Sequence, residues 1–276
     1  MSEKKKVEGS RFLRESKPAL KHLLGILLRE YGYASILAVD SEAKIYSVAA
    51  SGINIGDFGM LCNRGFVIKV YNEGEYAEYS FNKLERDVTE QAQQIIEQIE
   101  ALKKAVPDKL ERIKLGMLED KPLKFSKSTE YEINPFETGA QNIIDKLTAL
   151  RKKDLEADER MLDCTARMSC QKYSKLFLSE NKDMEQNVLW TDCAMSFLAR
   201  RGNEVKSYFS SASNLGGSEI LESLEADIPH SVEMTVALLD SEPMVPGEYD
   251  CICTPEVTGM IVHEAFGHGV EMDMFA

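Results

Sequence analysis

The sequence predicts an α+β fold, and three patterns support that class. Apolar residues recur at helical spacing in several stretches, and stretches rich in β-branched and aromatic residues lie between them. A hairpin signal at Glu73-Gly74 joins two alternating stretches. We expect an N-terminal helix, strand, hairpin and helix unit, followed by an antiparallel β-meander with helices and by a short third segment. The predicted domains are 1–110, 111–241 and 242–276.

The first domain opens with a helix that starts at Ser16 and Pro18 and stops at Gly32, with five leucines on one face. Two strands, a glycine-punctuated loop, a hairpin and a long amphipathic helix are predicted to follow. Their bounds are 33–39 and 44–50 for the strands, 51–63 for the loop, 66–72 and 75–81 for the hairpin, and 88–102 for the helix, which Pro107 closes.

The second domain begins with a polar linker, 106–132, and continues with a helix that starts at Asn134-Pro135. A meander of four strands is expected next, over 161–170, 173–179, 188–198 and 204–211. Gly216-Gly217 ends this pattern, and a helix is predicted from about Ser231 to Leu239. A short strand, 249–253, then leads into the third segment.

Composition and charge exclude several classes of function. A net charge of −13 argues against direct nucleic-acid binding, because phosphate contacts require clustered Lys and Arg. The N-terminus has no apolar stretch long enough for export, and no stretch predicts a membrane span. Six scattered cysteines in a chain of 276 residues favour reduced thiols. We therefore expect a cytoplasmic protein that does not contact a membrane.

The most informative stretch is a helix near the C-terminal end of the sequence. Thr254 is a good N-cap, and Pro255 suits the first helical position. Apolar residues recur every four positions and predict a stripe that faces a core: Val257, Ile261 and Ala265. The helix delivers His263, Glu264 and His268, two imidazoles with a carboxylate beside the first.

This group predicts a zinc site with an unusual spacing. Imidazole nitrogens suit zinc, and a glutamate beside the first ligand can take a proton from a zinc-bound water. His263 and His268 are five residues apart, about 140° around a straight α-helix. Both can reach one ion if the helix widens into a π-type turn or ends there. Gly267 and Gly269 bracket His268 and are expected to ease that distortion.

The motif His263-Glu264-Ala-Phe-Gly-His268, with Gly269, Glu271 and Asp273 after it, resembles the TldD branch of the TldD/PmbA family. Members of this family are described as zinc metalloproteases and are also named modulators of DNA gyrase. The resemblance implies that His263 and His268 hold Zn²⁺ and that Glu264 is the general base. It also implies a peptide or unfolded-protein substrate and dimers, either of one chain or with a PmbA/TldE-like partner.

The resemblance places the third zinc ligand, a cysteine, in a C-terminal half that we expect this chain to lack. Segment 242–276 is then the start of a truncated metalloprotease domain, and the chain alone is expected to be inactive. Cys251 and Cys253 could instead complete a closed Cys2His2 site with the two histidines. Glu271 and Asp273 are two further candidates, as weak third ligands or as partners that orient the histidines.

A second function class is compatible with the same sequence. The chain could be a non-catalytic peptide-binding or partner subunit, with zinc absent or structural. Zinc content, together with a peptidase assay of this chain and of a longer version, separates the two hypotheses.

Overall fold

A computed structural model describes residues 4–57, 59–105 and 114–271, and it confirms the predicted α+β class. The chain separates into two compact units, Met1–Asp240 and Ser241–Ala276. In its described residues the larger unit holds the sheet and four α-helices, and the smaller unit holds the histidine motif.

Within the described ranges, eight strands of the larger unit form one sheet, and two short strands pair separately. In chain order the strands are β1 (Lys5–Lys6), β2 (Tyr33–Ala49), β3 (Gly52–Asp57), β4 (Arg64–Asn72), β5 (Glu75–Phe81), β6 (Leu123–Ser128), β7 (Glu130–Tyr131), β8 (Met161–Ser179), β9 (Lys182–Arg201) and β10 (Glu204–Leu215). The sheet runs β10-β9-β8-β2-β4-β5, with β3 beside β2 and β6 parallel to β9. The small pair is β1 with β7.

The described residues contain five α-helices: α1 (Arg11–Glu30), α2 (Val88–Ala105), α3 (Ala140–Ala157) and α4 (Leu221–Ala237) in the larger unit, and α5 (Pro255–Val262) in the smaller unit. The first two pack on one buried cluster, which takes Ile36 and Ala38 from β2. The next two pack on a second cluster, which takes Tyr46 and Val48 from the same strand. These four residues are an even number of positions apart and so lie on the same face of β2. The first cluster takes its residues from the beginning of that face, and the second takes its residues from the end.

The predicted domain division at residue 110 falls between two stretches that share this sheet. β2 pairs with β8 without interruption from Ser35 opposite Ser179 to Val48 opposite Ala166. Leu176 and Leu178 of β8 also lie in the cluster under α1 and α2. The division stays a prediction, but residues on its two sides pair in one sheet and pack in one buried cluster.

Two elements of the N-terminal part are confirmed where local sequence signals are strong. β4 and β5 form the predicted hairpin, with Glu73 (φ 50°) and Gly74 (φ 97°) both in the left-handed region that such turns need. The long helix predicted from Val88 is α2.

Three predictions for the N-terminal part are wrong in their bounds. α1 begins at Arg11, because the Ser10 side chain caps it by accepting from the Leu13 N–H, and Pro18 lies inside the helix. The two strands predicted between 33 and 50 are one strand, β2. Its polar middle stays extended because each residue pairs with β8, for example Asp40 with Ser174. The loop predicted at 51–63 contains β3, which pairs with β2.

Similar differences occur in the middle of the chain. The predicted linker contains β6 and β7, while its residues 106–113 lie outside the described ranges. The first two meander strands are one strand, β8, and the third begins earlier, as β9. The last helix begins at Leu221 rather than Ser231, with Pro229 inside it. Polar residues in these stretches predicted breaks within the strands and the helix, but strand pairing and packing on the sheet keep each element continuous.

The smaller unit has no strand in its described residues, so the strand predicted at 249–253 is wrong. Its regular structure is α5 and the two short helical turns that continue it. No helix in the described part of the chain combines the length and the apolarity needed to cross a membrane.

Candidate metal centre

The helix that carries the motif begins where the sequence predicts, but it is capped differently. Pro255 is the first residue of α5, and the Thr254 side chain makes no capping hydrogen bond to the helix. Glu256 lies in the first turn, and its own backbone N–H and the Thr254 hydroxyl lower the pKa of its carboxyl. The carboxylate thus supplies the favourable charge at the positive end of the helix.

The helix widens at the first histidine. His263–Gly267 form a π-helical turn, and the backbone N–H of His268 donates to the carbonyl oxygen of His263, five residues back. In such a turn, residues five apart lie nearer to the same face of the helix than they do in an α-helix. The two imidazole rings are accordingly 4.6 Å apart between centroids, with their planes at 73°. Of the two possibilities that the spacing allowed, a π-type turn or the end of the helix, the structure has the π-type turn.

The two glycines show neither a left-handed conformation nor a tight contact, so the prediction that they ease the distortion stays a prediction. Gly267 has φ −56° and ψ −54°, a right-handed conformation that any residue can adopt. An added Cβ at Gly267 would be 3.7 Å from His263 Nδ1, an ordinary contact, and at Gly269 it would meet nothing within 4 Å. The backbone hydrogen-bond pattern alone defines the turn.

Two carboxylates approach His268 from opposite sides of its ring. Glu264 Oε2 is 3.7 Å from His268 Nε2. Glu271 Oε1 is 2.9 Å from His268 Nδ1, a normal hydrogen-bond distance. All three side chains are about half exposed. Asp273, the other carboxylate considered from the sequence, lies outside the described residues.

The chemistry of these donors fits a zinc ion. One ligand atom each from His263, Glu264 and His268 lies within 4.8 Å of the others, and within the described ranges this is the one such group of three. Two nitrogens on a tetrahedral zinc ion with bonds of about 2.0–2.1 Å are separated by roughly 3.3 Å. The donor atoms in the structure lie within 4.8 Å of one another, and small rotations of these exposed side chains can bring them to the separation that zinc requires.

The other histidines and the cysteines do not join this group. His22 lies 3.2 Å from the Thr89 hydroxyl, and His230 packs edge-on against the Tyr208 ring, both in the larger unit. Cys251 and Cys253 are exposed and do not lie in a strand. The Cys2His2 alternative is therefore not assembled in the described part of the chain.

The apolar stripe of the motif helix is exposed, which corrects the prediction that it faces a core. Val257 is 49 % exposed and Ile261 is 53 % exposed, and Ala265 is exposed as well. Within the described residues of its own unit, the stripe has no second helix or strand to pack against. The apolar periodicity correctly predicted the position of the helix. It does not show which element, if any, packs against the apolar face.

Sequence reasoning missed one buried ionisable group in the larger unit. Asp154 of α3 is fully buried, and burial raises the pKa of its carboxyl to about 6. Its position was visible in the sequence, because it continues the core spacing of Ile143, Leu147 and Leu150. It lies far along the chain from the histidine motif.

Comparison with known proteins supports the resemblance at the level of the fold. No family model matches the chain. A metalloprotease of Methanothermobacter thermautotrophicus is 34% identical over 82 residues, which are 29% of this chain and 18% of that protein.

Three solved structures have the same fold at low sequence identity. Proposed modulators of DNA gyrase from Thermotoga maritima and Bacteroides thetaiotaomicron match with TM-scores of 0.61 and 0.56, at 15% and 17% identity. TldE from Thermococcus kodakarensis matches with a TM-score of 0.53 at 18% identity.

These matches cover 84%, 80% and 80% of this chain, but only 50%, 49% and 47% of those chains. The chain therefore spans about half the length of the solved structures that it matches. Over that half, it has the fold of the TldD/PmbA proteins.

Proposed function

We propose that this chain contributes the catalytic motif of a zinc metallopeptidase of the TldD type. The observation that carries the proposal is the π-helical turn, which brings His263 and His268 together beside Glu264. The similarity to a protein named metalloprotease is independent support. Because the solved relatives are about twice as long, we propose that activity also needs a segment equivalent to their other half.

His263 and His268 would hold the ion through ring nitrogens, and Glu264 would act beside it. A bound zinc ion supplies Lewis acidity, which makes water easier to deprotonate and polarises a peptide carbonyl. Glu264 accepts the proton as the water oxygen bonds to the carbonyl carbon. It then returns the proton to the amide nitrogen as the C–N bond breaks. Its carboxylate lies 3.7 Å from His268 Nε2, next to the atom that would bind the ion.

We propose peptides or unfolded protein segments as substrates. Within the described ranges, no strand pairs with the outer edge of β10, which leaves twelve residues of backbone along one side of the sheet. An extended peptide can add to such an edge through main-chain hydrogen bonds, largely independent of its sequence. The exposed Phe209 and Val205 on β10 offer apolar contacts there.

Location and assembly complete the proposal. All six cysteines are free, and burial raises the pKa of the Cys193 thiol to about 11, which makes it unreactive. Free thiols agree with a cytoplasmic location. We further propose a dimer, either of this chain or with a PmbA/TldE-like chain, and no direct contact with nucleic acid or membrane.

Two substitutions test the catalytic part of the proposal. Glu264→Gln in the full-length protein should abolish peptide hydrolysis while leaving zinc bound, because the amide cannot accept a proton. His263→Ala should lose zinc, as measured by elemental analysis of the purified protein. The assignment is refuted by turnover that persists in the first variant or by unchanged zinc content in the second.

The competing function is a non-catalytic peptide-binding or partner subunit. The observation that favours it is the composition of the site, which offers two histidines and one carboxylate within the described residues. A peptidase assay of this chain and of a version extended by the equivalent of the relatives' other half decides between them. Hydrolysis that appears on extension supports the peptidase. Peptide binding without hydrolysis in both supports the binding subunit.

A further inference from the structure

The side chain of Glu271 makes a specific contact with the second histidine of the motif. His268–Val270 form a single 3-10 turn, and Glu271 follows it directly. The backbone N–H of Glu271 donates to the carbonyl oxygen of His268, at 3.3 Å. A second hydrogen bond joins the same two residues through their side chains, between His268 Nδ1 and Glu271 Oε1 at 2.9 Å. Two bonds between residues three apart hold the ring in one orientation.

This contact determines where the imidazole proton lies. An ionised carboxylate has no proton to donate, so the short Nδ1 to Oε1 contact requires the N–H to be on Nδ1. In the neutral ring, Nε2 then keeps its lone pair. Nε2 is also the atom that faces Glu264 Oε2 across 3.7 Å, which is too long for a hydrogen bond. Nε2 thus keeps a free lone pair for the ion, and the carboxylate of Glu264, the proposed base, lies beside it.

We propose that Glu271 is a positioning residue that fixes His268 in the Nδ1–H tautomer and presents Nε2 to the metal. This inference rests on the proposed function. Glu271 itself is not a ligand in this arrangement, because it binds the opposite edge of the ring from Nε2. It also lies outside the group of three side chains whose donor atoms converge. A carboxylate that orients a metal-binding histidine in this way raises the basicity of the ligating nitrogen.

The tautomer can be measured without metal and without activity. Nitrogen-15 NMR of metal-free protein, at a pH at which imidazole is neutral, should show the Nδ1–H tautomer for His268. Glu271→Ala should shift the ring toward the Nε2–H form that is usual for a free imidazole. Glu256→Ala is the matched control, because it removes an exposed carboxylate at the other end of the same helical segment and should leave His268 unchanged.

Zinc affinity, measured by competition with a chelator, tests the consequence. Glu271→Ala should weaken binding by about 10–100-fold, whereas Glu256→Ala should not. Glu271→Gln keeps an oxygen that can accept from Nδ1–H and should retain most of the affinity and of the tautomer. Equal losses in the Gln and Ala variants would mean that only the charge matters, and this would overturn the proposal.

Failure of the inference can be told from failure of the zinc site. If His263→Ala and His268→Ala bind zinc as well as the unaltered chain does, the metal centre itself is refuted. If those variants lose zinc while Glu271→Ala and Glu256→Ala have the same zinc affinity and the same His268 tautomer, the metal centre stands. The positioning role of Glu271 is then overturned. Glu271 is half exposed in a terminal turn, so its replacement does not threaten folding.

Discussion

At the scale of single residues, Asp154 is the most unusual group in the larger unit. Its side chain is fully buried, and within the described ranges its carboxylate oxygens have no hydrogen-bond partner apart from the weak thiol donor of Cys164. Burial is the main cause that raises its pKa to about 6, and the Cys164 thiol and the Arg151 guanidinium partly oppose the shift. Arg151 is engaged elsewhere, with Asp163 and the Cys164 carbonyl. The ionised form of Asp154 is therefore poorly compensated.

This group predicts a pH-dependent stability. The folded pKa of about 6 exceeds the unfolded value of about 3.9, so the folded state binds the proton more tightly. The contribution of Asp154 to the free energy of unfolding is fully favourable below about pH 4, and it declines as pH rises through about 6. Asp154→Asn should therefore gain stability relative to the unaltered chain over that window, by about 2–3 kcal/mol at neutral pH.

Urea unfolding at several pH values between 4 and 8 measures this difference. Asp145→Asn on the same helix is the control, because Asp145 is exposed and bonds only to Gln141 in the described contacts. Its effect should be small at every pH. A stability difference for Asp154→Asn that did not change with pH would show that the buried carboxyl does not titrate in this window.

Residue-level sequence reasoning anticipated that the three motif side chains come together, but it did not anticipate their surroundings. The five-residue spacing of His263 and His268 predicted either a π-type turn or the end of the helix, and the structure has the π-type turn. The contact from Glu271 to His268 is also local, three residues apart. What spacing could not give is the exposure of the site, because burial depends on residues remote in sequence.

At the scale of elements, the Gly216-Gly217 break shows how tightly packed a turn can be. A Cβ on Gly217 would lie 1.9 Å from the carbonyl oxygen of Ile133, so no other residue fits without backbone movement. The Ser218 N–H donates to that same oxygen, and the Glu219 carboxylate accepts from the backbone N–H groups of Gly217 and Ile133. Together these bonds fix the start of α4 against the segment before α3.

Gly217→Ala should destabilise the protein by about 3 kcal/mol or more, because the clash is with backbone rather than with a flexible side chain. Gly25→Ala is the matched control, since Gly25 lies inside α1 and an added Cβ meets nothing within 4 Å. That variant should gain about 0.5–1 kcal/mol from helix propensity. Thermal unfolding of both proteins gives the comparison, and equal effects of the two alanines would contradict the packing argument.

Elements were predictable where their signals are local. The hairpin turn at Glu73-Gly74 and the start of the motif helix at Pro255 are set by neighbouring residues, and both are correct. The division of β2 into two strands was wrong, because its polar middle is held extended by pairing with β8, more than a hundred residues away. The same reason applies to Pro18 inside α1, where packing of leucines on the sheet outweighs one missing hydrogen bond.

At the scale of the whole molecule, the sheet joins the two predicted N-terminal domains. Residues 1–110 supply α1, α2 and strands β2 to β5, but one edge of β2 pairs with β8 along nearly its full length. Without β8, that edge would expose a long row of unpaired backbone groups, a feature that promotes association. The cluster under α1 and α2 would also lose Leu176 and Leu178.

A fragment of residues 1–110 should therefore fail to fold as a soluble monomer, whereas residues 1–240 should unfold in one cooperative transition. The expectation follows from what the cut does to each core. It removes Leu176 and Leu178 from the first cluster, and it leaves Tyr46 and Val48 in the fragment without the rest of the second cluster. Circular dichroism during urea unfolding, with light scattering to detect association, compares the two. A cooperative, monomeric transition in the short fragment would establish the boundary at 110 as a true domain division. It would also show that α1 and α2 stabilise their part of the sheet without β8.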